Sequence, residues 1–243
     1  MFDTIILLMD VAERSVIGPV LQAYNPLLTL VPVGSSAELA ELTTDILERA
    51  RLISFVTSII VPQYILARLG YGALNFHPGP PRYPGWAPSH FALYEGATEF
   101  GATVHVMVEK VDAGPIIDVA RFPIPVDISV PGLEGLAYAH LAKLFWLKAR
   151  SLATDPQPPP TRTIQWGPRT YSRRLYQAMC DIPLDISRDE FDRRLRIFGA
   201  NHFGISPTIT LHGVEFRPAP VSARHAPHVS GFDAWCDGSS ALA

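Results

Sequence analysis

The stretch LISFVTSIIVPQYILARLGYGALNF, residues 52–76, sets two short apolar runs on either side of a helix-like segment. Leu52-Ile53-Ser54-Phe55-Val56 reads as a strand, Val61 to Leu69 as a short helix and Ala73 to Phe76 as the next strand. Runs this short, mostly apolar and with β-branched and aromatic residues suit strands buried on both faces. The same alternation extends upstream. Ile5-Ile6-Leu7-Leu8 is a first strand, a helical stretch ends near Tyr24, Asn25-Pro26 breaks it, and Leu27 to Val33 is a second strand. Ser35 and Glu38 form a capping-box pattern, and Leu39, Leu42 and Ile46 follow at helical spacing. One helix of about 15 residues is therefore expected up to Ala50. The alternation predicts an α/β fold with a Rossmann-like, mostly parallel sheet covered on both faces, whose strand ends open a ligand crevice.

Downstream the pattern changes. His77 to Pro88 holds five prolines and two glycines among twelve residues, which excludes helix and central strand and demands a long, stiff loop. A helix from about Pro88 to Glu95, strands from Ala102 to Val108 and Ile116 to Phe122, and a helix from about Leu133 to Arg150 follow. Asp155-Pro156-Gln157-Pro158-Pro159-Pro160 reads as an extended linker. The chain thus divides into a catalytic unit over residues 1–154, a proline-rich linker over 155–165 and a small C-terminal α+β module over 166–243. In that module Ser187 and Glu190 open a helix, and Thr208 to Leu211 and Val214 to Phe216, joined by His212-Gly213, form a hairpin.

Hydrophobic residues make up 48% of the 243 and charged residues 18%, which fits a packed globular protein. A formal net charge of −3 provides no general attraction for phosphate backbones, so nucleic acid is a disfavoured partner. Cys180 and Cys236 lie outside any C-x-x-C spacing and suggest neither a zinc site nor a disulfide framework. The apolar run from Thr4 to Met9 lacks a basic leader and is far below the ~18 residues of a membrane span. The expectation is a cytoplasmic protein without a membrane partner, with a homodimer as the default assembly.

Asn75 and His77, two apart at a strand end, leave the same face of the sheet at its crevice edge, and Asp112 follows a neighbouring strand. An amide, an imidazole and a carboxylate suit acyl transfer to an amine. Preorganised donors stabilise the tetrahedral oxyanion, the imidazole handles a proton near neutral pH, and the carboxylate holds the resulting charge. His90, His105 and His140 lack partners at metal-ligand spacing and read as ordinary strand or helix residues. Arg173-Arg174 and Arg193-Arg194-Arg196 read as salt-bridged helix surface, with phosphate binding as the alternative. Trp86 could either stack on a substrate or anchor its loop.

The segment from about Leu52 to Pro125 resembles the folate-dependent formyltransferase family. The family pattern of Asn-x-His-Pro, a loop ending Pro-x-Tyr-x-Gly and an Asp-x-Gly after a strand is met by Asn75, His77, Pro78, Pro81, Tyr83, Gly85, Asp112 and Gly114. The chain departs from the family where Met9-Asp10-Val11-Ala12 replaces the usual glycine-bearing turn after the first strand. The resemblance implies Asn75, His77 and Asp112 as catalytic residues and 10-formyltetrahydrofolate as formyl donor. It also implies a pterin slot lined by Ser58, Ile59, Ile60 and Val61, and closed by Met107, Val108, Glu109, Lys110 and Val111. The expected acceptor is a small-molecule amine such as a nucleotide-linked amino sugar; hydrolysis of the donor and formylation of methionyl-tRNA are the alternatives.

Overall fold

In a computed structural model, described over residues 2–199 and 203–218, six strands form one sheet in the order β2-β1-β3-β4-β5-β6. They are β1 Thr4–Leu8, β2 Thr29–Val33, β3 Ala50–Phe55, β4 Ala73–His77, β5 Glu99–Val106 and β6 Ile116–Pro123. The first four are mutually parallel, and β5 and β6 pair antiparallel beside them. β1 and β3 are buried at every residue, as a strand with covered faces on both sides requires.

One face packs against α1, Val11–Tyr24, and α6, Val130–Thr154. Ile17 and Leu21 of α1 and Leu141, Leu144 and Phe145 of α6 join Ile5, Ile53 and Phe76 in a single apolar cluster. The other face is covered by α2, Ser36–Ala40, α3, Thr44–Arg49, and α4, Gln63–Leu66, which bring Leu39, Leu47 and Ile65 onto Ile6, Leu8 and Leu52. The single helix expected from Ser35 to Ala50 is thus two short ones. Ser35 caps the first by accepting from the Glu38 N–H at 3.1 Å. Thr43 supplies the N-cap of the second, and its β-branched neighbour Thr44 favours a restart over continuation.

Arg51 on β3 is fully buried. Its guanidinium donates to the carbonyls of Tyr71, Leu152, Pro156 and Gln157 and lies 4.9 Å from the centroid of the Phe2 ring. Burial pushes its pKa down to about 10, with Asp155 opposing, so it stays charged at neutral pH. This one side chain fastens the end of α6 and the start of the proline-rich segment to the sheet.

A third cluster lies at the end of the sheet, around α5, Pro88–Tyr94, α7, Arg173–Cys180, and α8, Arg188–Phe198. The Ser187 cap of α8 is present at 3.4 Å. The carboxylate of Glu190 turns instead to Arg194 at 2.7 Å and to the Tyr94 hydroxyl at 2.6 Å, which ties α8 to α5. The hairpin of β7, Ile209–Leu211, and β8, Val214–Phe216, turns through His212 and Gly213 with φ of 51° and 80°, the paired left-handed residues of a type I′ turn. Thr208, expected inside the hairpin, bridges Asp181 instead. Cys180 is buried and free, and Cys236 lies outside the described residues. No described helix is long and apolar enough to cross a membrane.

Candidate active site

Register places the polar residues in a row. Ser54 of β3 is the parallel partner of Asn75 of β4, and Asn75 is the antiparallel partner of His105 of β5. Paired residues project from one face of a sheet, so three polar side chains stand abreast near the strand ends. The Ser54 hydroxyl donates to Asn75 Oδ1 at 2.9 Å, which fixes the amide so that its Nδ2 faces Asp112 Oδ1 at 3.3 Å and His105 Nε2 at 3.2 Å.

Asp112 lies in the loop between β5 and β6 with φ of 44°, a left-handed conformation uncommon for a residue with a side chain. That conformation turns the carboxylate inward, where it is buried. Oδ2 accepts the Gly85 N–H at 2.7 Å and lies 3.2 Å from His77 Nδ1. Oδ1 lies 3.1 Å from His105 Nε2. Burial alone would raise this carboxyl, but the charges of His77 and His105, the His105 hydrogen bond and the Gly85 N–H hold it well below the usual carboxylate range.

His77 ends β4, in the antiparallel partner position to Thr103. Its Nε2 lies 3.2 Å from the Tyr83 carbonyl, and a Cβ on Gly79 would stand 2.5 Å from that nitrogen. Only glycine fits there. Burial pushes the imidazole below its ordinary 6.5; Asp112 and the Tyr83 carbonyl oppose that shift, and the neighbouring His105 adds to it. The Asp112 carboxylate thus stands between two imidazoles, His77 at Oδ2 and His105 at Oδ1.

His105 is the site residue that sequence reasoning placed elsewhere. Read as an ordinary strand histidine, it instead touches both Asn75 and Asp112. Its signal is the antiparallel turn of β5, which sets it opposite Asn75 and becomes visible only once strand direction is known. Trp86 anchors its loop, with ring centroids 4.2 Å from Phe203 and 5.0 Å from Tyr176. His90 packs in the same aromatic cluster, and His140 stacks on Phe122 at 4.3 Å. Of the basic groups, Arg194 pairs with Glu190 and Arg193 lies over the Tyr94 ring.

The segments expected to line a pterin slot meet in part. Val61 is buried in the cluster on the α2–α4 face, and Ile59 and Met107 pack against it. Ser58, Ile60, Val108, Glu109, Lys110 and Val111 are exposed beside them. The two segments therefore share one apolar cluster through Ile59, Val61 and Met107. Among the described residues no cluster is arranged to hold a metal ion.

Residues 43–134 match the family described as formyl transferase. A methionyl-tRNA formyltransferase of Listeria innocua is 42% identical over 111 residues, which is 45% of this chain and 34% of that protein. This chain spans about a third of such curated relatives. A sugar N-formyltransferase from Shewanella sp. superposes with a TM-score of 0.70 at 16% identity, covering 90% of this chain and 97% of that one. An N-formyltransferase of Helicobacter canadensis, solved with folinic acid and dTDP-3-aminofucose, gives a TM-score of 0.62 at 16% identity and covers 88% and 85%.

Proposed function

We propose that this chain, whose residues 43–134 match the formyl transferase family, is a formyltransferase that moves a formyl group from 10-formyltetrahydrofolate to the primary amine of a small molecule. The observation that carries the reading is the convergence of Asn75, His77 and Asp112 within 3.3 Å contacts at one sheet edge. In the proposed reaction the amine nitrogen attacks the formyl carbon, and the Asn75 amide stabilises the oxyanion. A neutral His77, its Nε2 released from the Tyr83 carbonyl, takes up the proton the amine loses, the adjacent Asp112 carboxylate balances the imidazolium, and collapse returns a proton to N10 of the departing tetrahydrofolate. Ile59, Val61 and Met107 would form the floor under the pterin, with backbone groups of 58–61 and 107–111 above it.

For the acceptor we infer an amino sugar carried on a nucleotide, in the cytoplasm. The support is the TM-score of 0.70 to the Shewanella sugar N-formyltransferase and the nucleotide amino sugar in the Helicobacter N-formyltransferase structure, against 0.58 for a methionyl-tRNA formyltransferase of Clostridium thermocellum of similar coverage. The Listeria relative favours a second reading, methionyl-tRNA. Against it stands the net charge of −3 over the whole chain, which gives no general attraction for RNA. Incubation with 10-formyltetrahydrofolate and a panel of nucleotide amino sugars, with charged initiator tRNA and with no acceptor, followed by mass spectrometry, tests the choice. A formylated sugar supports the proposal, formyl-methionyl-tRNA replaces the acceptor, and donor loss without any formylated product assigns hydrolysis.

A further inference from the structure

The six residues from Trp166 to Tyr171 touch both loops of the candidate site. The Trp166 indole N–H donates to the Gly114 carbonyl at 2.7 Å, two residues beyond Asp112. Gly114 is itself wedged, because a Cβ there would run into the Val106 carbonyl. The Trp166 ring meets both imidazoles edge-on, with centroids 4.9 Å from His105 and 6.0 Å from His77. From there the chain crosses to the proline-rich loop. The Gly167 N–H donates to the Pro81 carbonyl, the Tyr171 N–H to Pro84, and the Trp86 N–H to Tyr171, each at 2.8 Å. Gly85, whose N–H binds Asp112, lies so close under Tyr171 that a Cβ would run into the Tyr171 carbonyl.

We infer that residues 166–171 are a strap that sets the position of Asp112 against His77 and His105, with Trp166 as its positioning residue. The strap approaches the carboxylate from both sides, through Gly114 at one end and Gly85 at the other. Its two ends therefore fix the Asp112 loop and the His77 loop relative to each other, a separation that neither loop determines alone. The indole also covers the imidazole pair and keeps water from screening it. The imidazoles meeting that ring are His77 and His105, and His77 is 3.2 Å from Asp112, so a change at Trp166 is read by the titration of His77.

The inference rests on the proposed formyl transfer only for its kinetic readout. Trp166→Phe keeps an aromatic ring and removes the N–H donor, and Trp166→Ala removes both. The expected result for Trp166→Phe is an unchanged melting temperature within about 3 °C, kcat reduced about tenfold, and a donor KM within twofold of the starting protein. Imidazole NMR should show the titration of His77 displaced by several tenths of a pH unit, more in Trp166→Ala where that variant folds. NMR needs no substrate, so it decides the strap even if no amine is formylated, which would count against the reaction alone. If Trp166→Phe folds with the His77 titration and kcat unchanged, the positioning role is overturned.

Discussion

Asn75 Nδ2 lies 3.2 Å from His105 Nε2 across the antiparallel pair of β4 and β5, and both groups converge on Asp112 Oδ1. The carboxylate therefore has three nitrogen neighbours from side chains, counting His77 at its other oxygen, and one from the backbone of Gly85. Such a group is expensive to leave unpaired and is held in one orientation, which is what a charge partner in catalysis requires.

Asp112→Asn retains the shape and tolerates the left-handed backbone, since Asn adopts that region more readily than most residues. The protein should fold, while turnover drops by about 10²-fold or more, or about 2.7 kcal/mol of barrier, because the proton accepted by His77 loses its counter-charge. Steady-state kinetics with saturating donor and acceptor measure this. Turnover within twofold of the starting protein would remove Asp112 from the mechanism.

His105→Gln keeps a hydrogen-bonding side chain beside Asp112 and removes a potential charge. His105 depresses proton uptake by His77, so its removal should move the acid limb of the kcat/KM profile to higher pH. About a tenfold loss of kcat is expected at neutral pH. A profile superimposable on that of the unsubstituted protein would make His105 a bystander.

Most of this architecture can be read from the residues. The short apolar runs give six strands in the observed sequence order, and His212-Gly213 gives the hairpin turn, because both signals are local. Strand direction is not local. The run Ala102 to Val108 looks the same whether it lies parallel or antiparallel to β4, and the observed antiparallel register is what puts His105 opposite Asn75. Trp166 was equally hidden: it is 54 residues beyond Asp112, past a proline-rich segment that reads as a linker, and reaches the site only through tertiary packing. α7, Arg173–Cys180, is short; Ser172 caps it by accepting the Leu175 N–H, and Tyr176 buries it in the aromatic cluster.

Gly79→Ala probes how tightly the imidazole is seated. The added methyl would stand 2.5 Å from His77 Nε2 and 2.8 Å from Pro88 Cβ, so the ring or the loop must move. The Gly79 carbonyl accepts the Thr103 hydroxyl at 2.7 Å, which opposes loop movement. A destabilisation of about 1–3 kcal/mol with a larger fractional loss of turnover is expected, measured by urea unfolding alongside kinetics. Unchanged stability and rate would mean the seat is loose.

Acid should weaken the fold through the same groups. The His77 pKa is depressed in the folded chain, so its contribution is complete above the unfolded value near 6.5 and is lost as pH falls below it. Asp112 is depressed as well, so its contribution persists above about pH 4 and is lost on further acidification. The melting temperature should therefore begin to fall between pH 7 and 5 and fall faster below 4. In His77→Gln the decline between 7 and 5 should shrink; an identical decline would assign it to other groups.

Binding of the donor can be separated from chemistry. Ile59, Val61 and Met107 belong to the apolar cluster under the α2–α4 face, whereas His77 bonds to the Tyr83 carbonyl and Asp112 on the proline-loop side. A pterin resting on the first set need not contact the imidazole. The nonreactive 5-formyltetrahydrofolate should raise the melting temperature, since a ligand selective for the native state adds about 2.7 kcal/mol at a hundredfold excess over Kd. His77→Ala should keep most of that rise while losing transfer, and Val61→Asp should lose the rise, because a charge placed in the floor cannot be solvated there. Calorimetry on the unsubstituted protein at high ligand is the deciding measurement. Absence of heat there would remove folate as the donor, and with it the assignment of Asn75, His77 and Asp112 to formyl transfer.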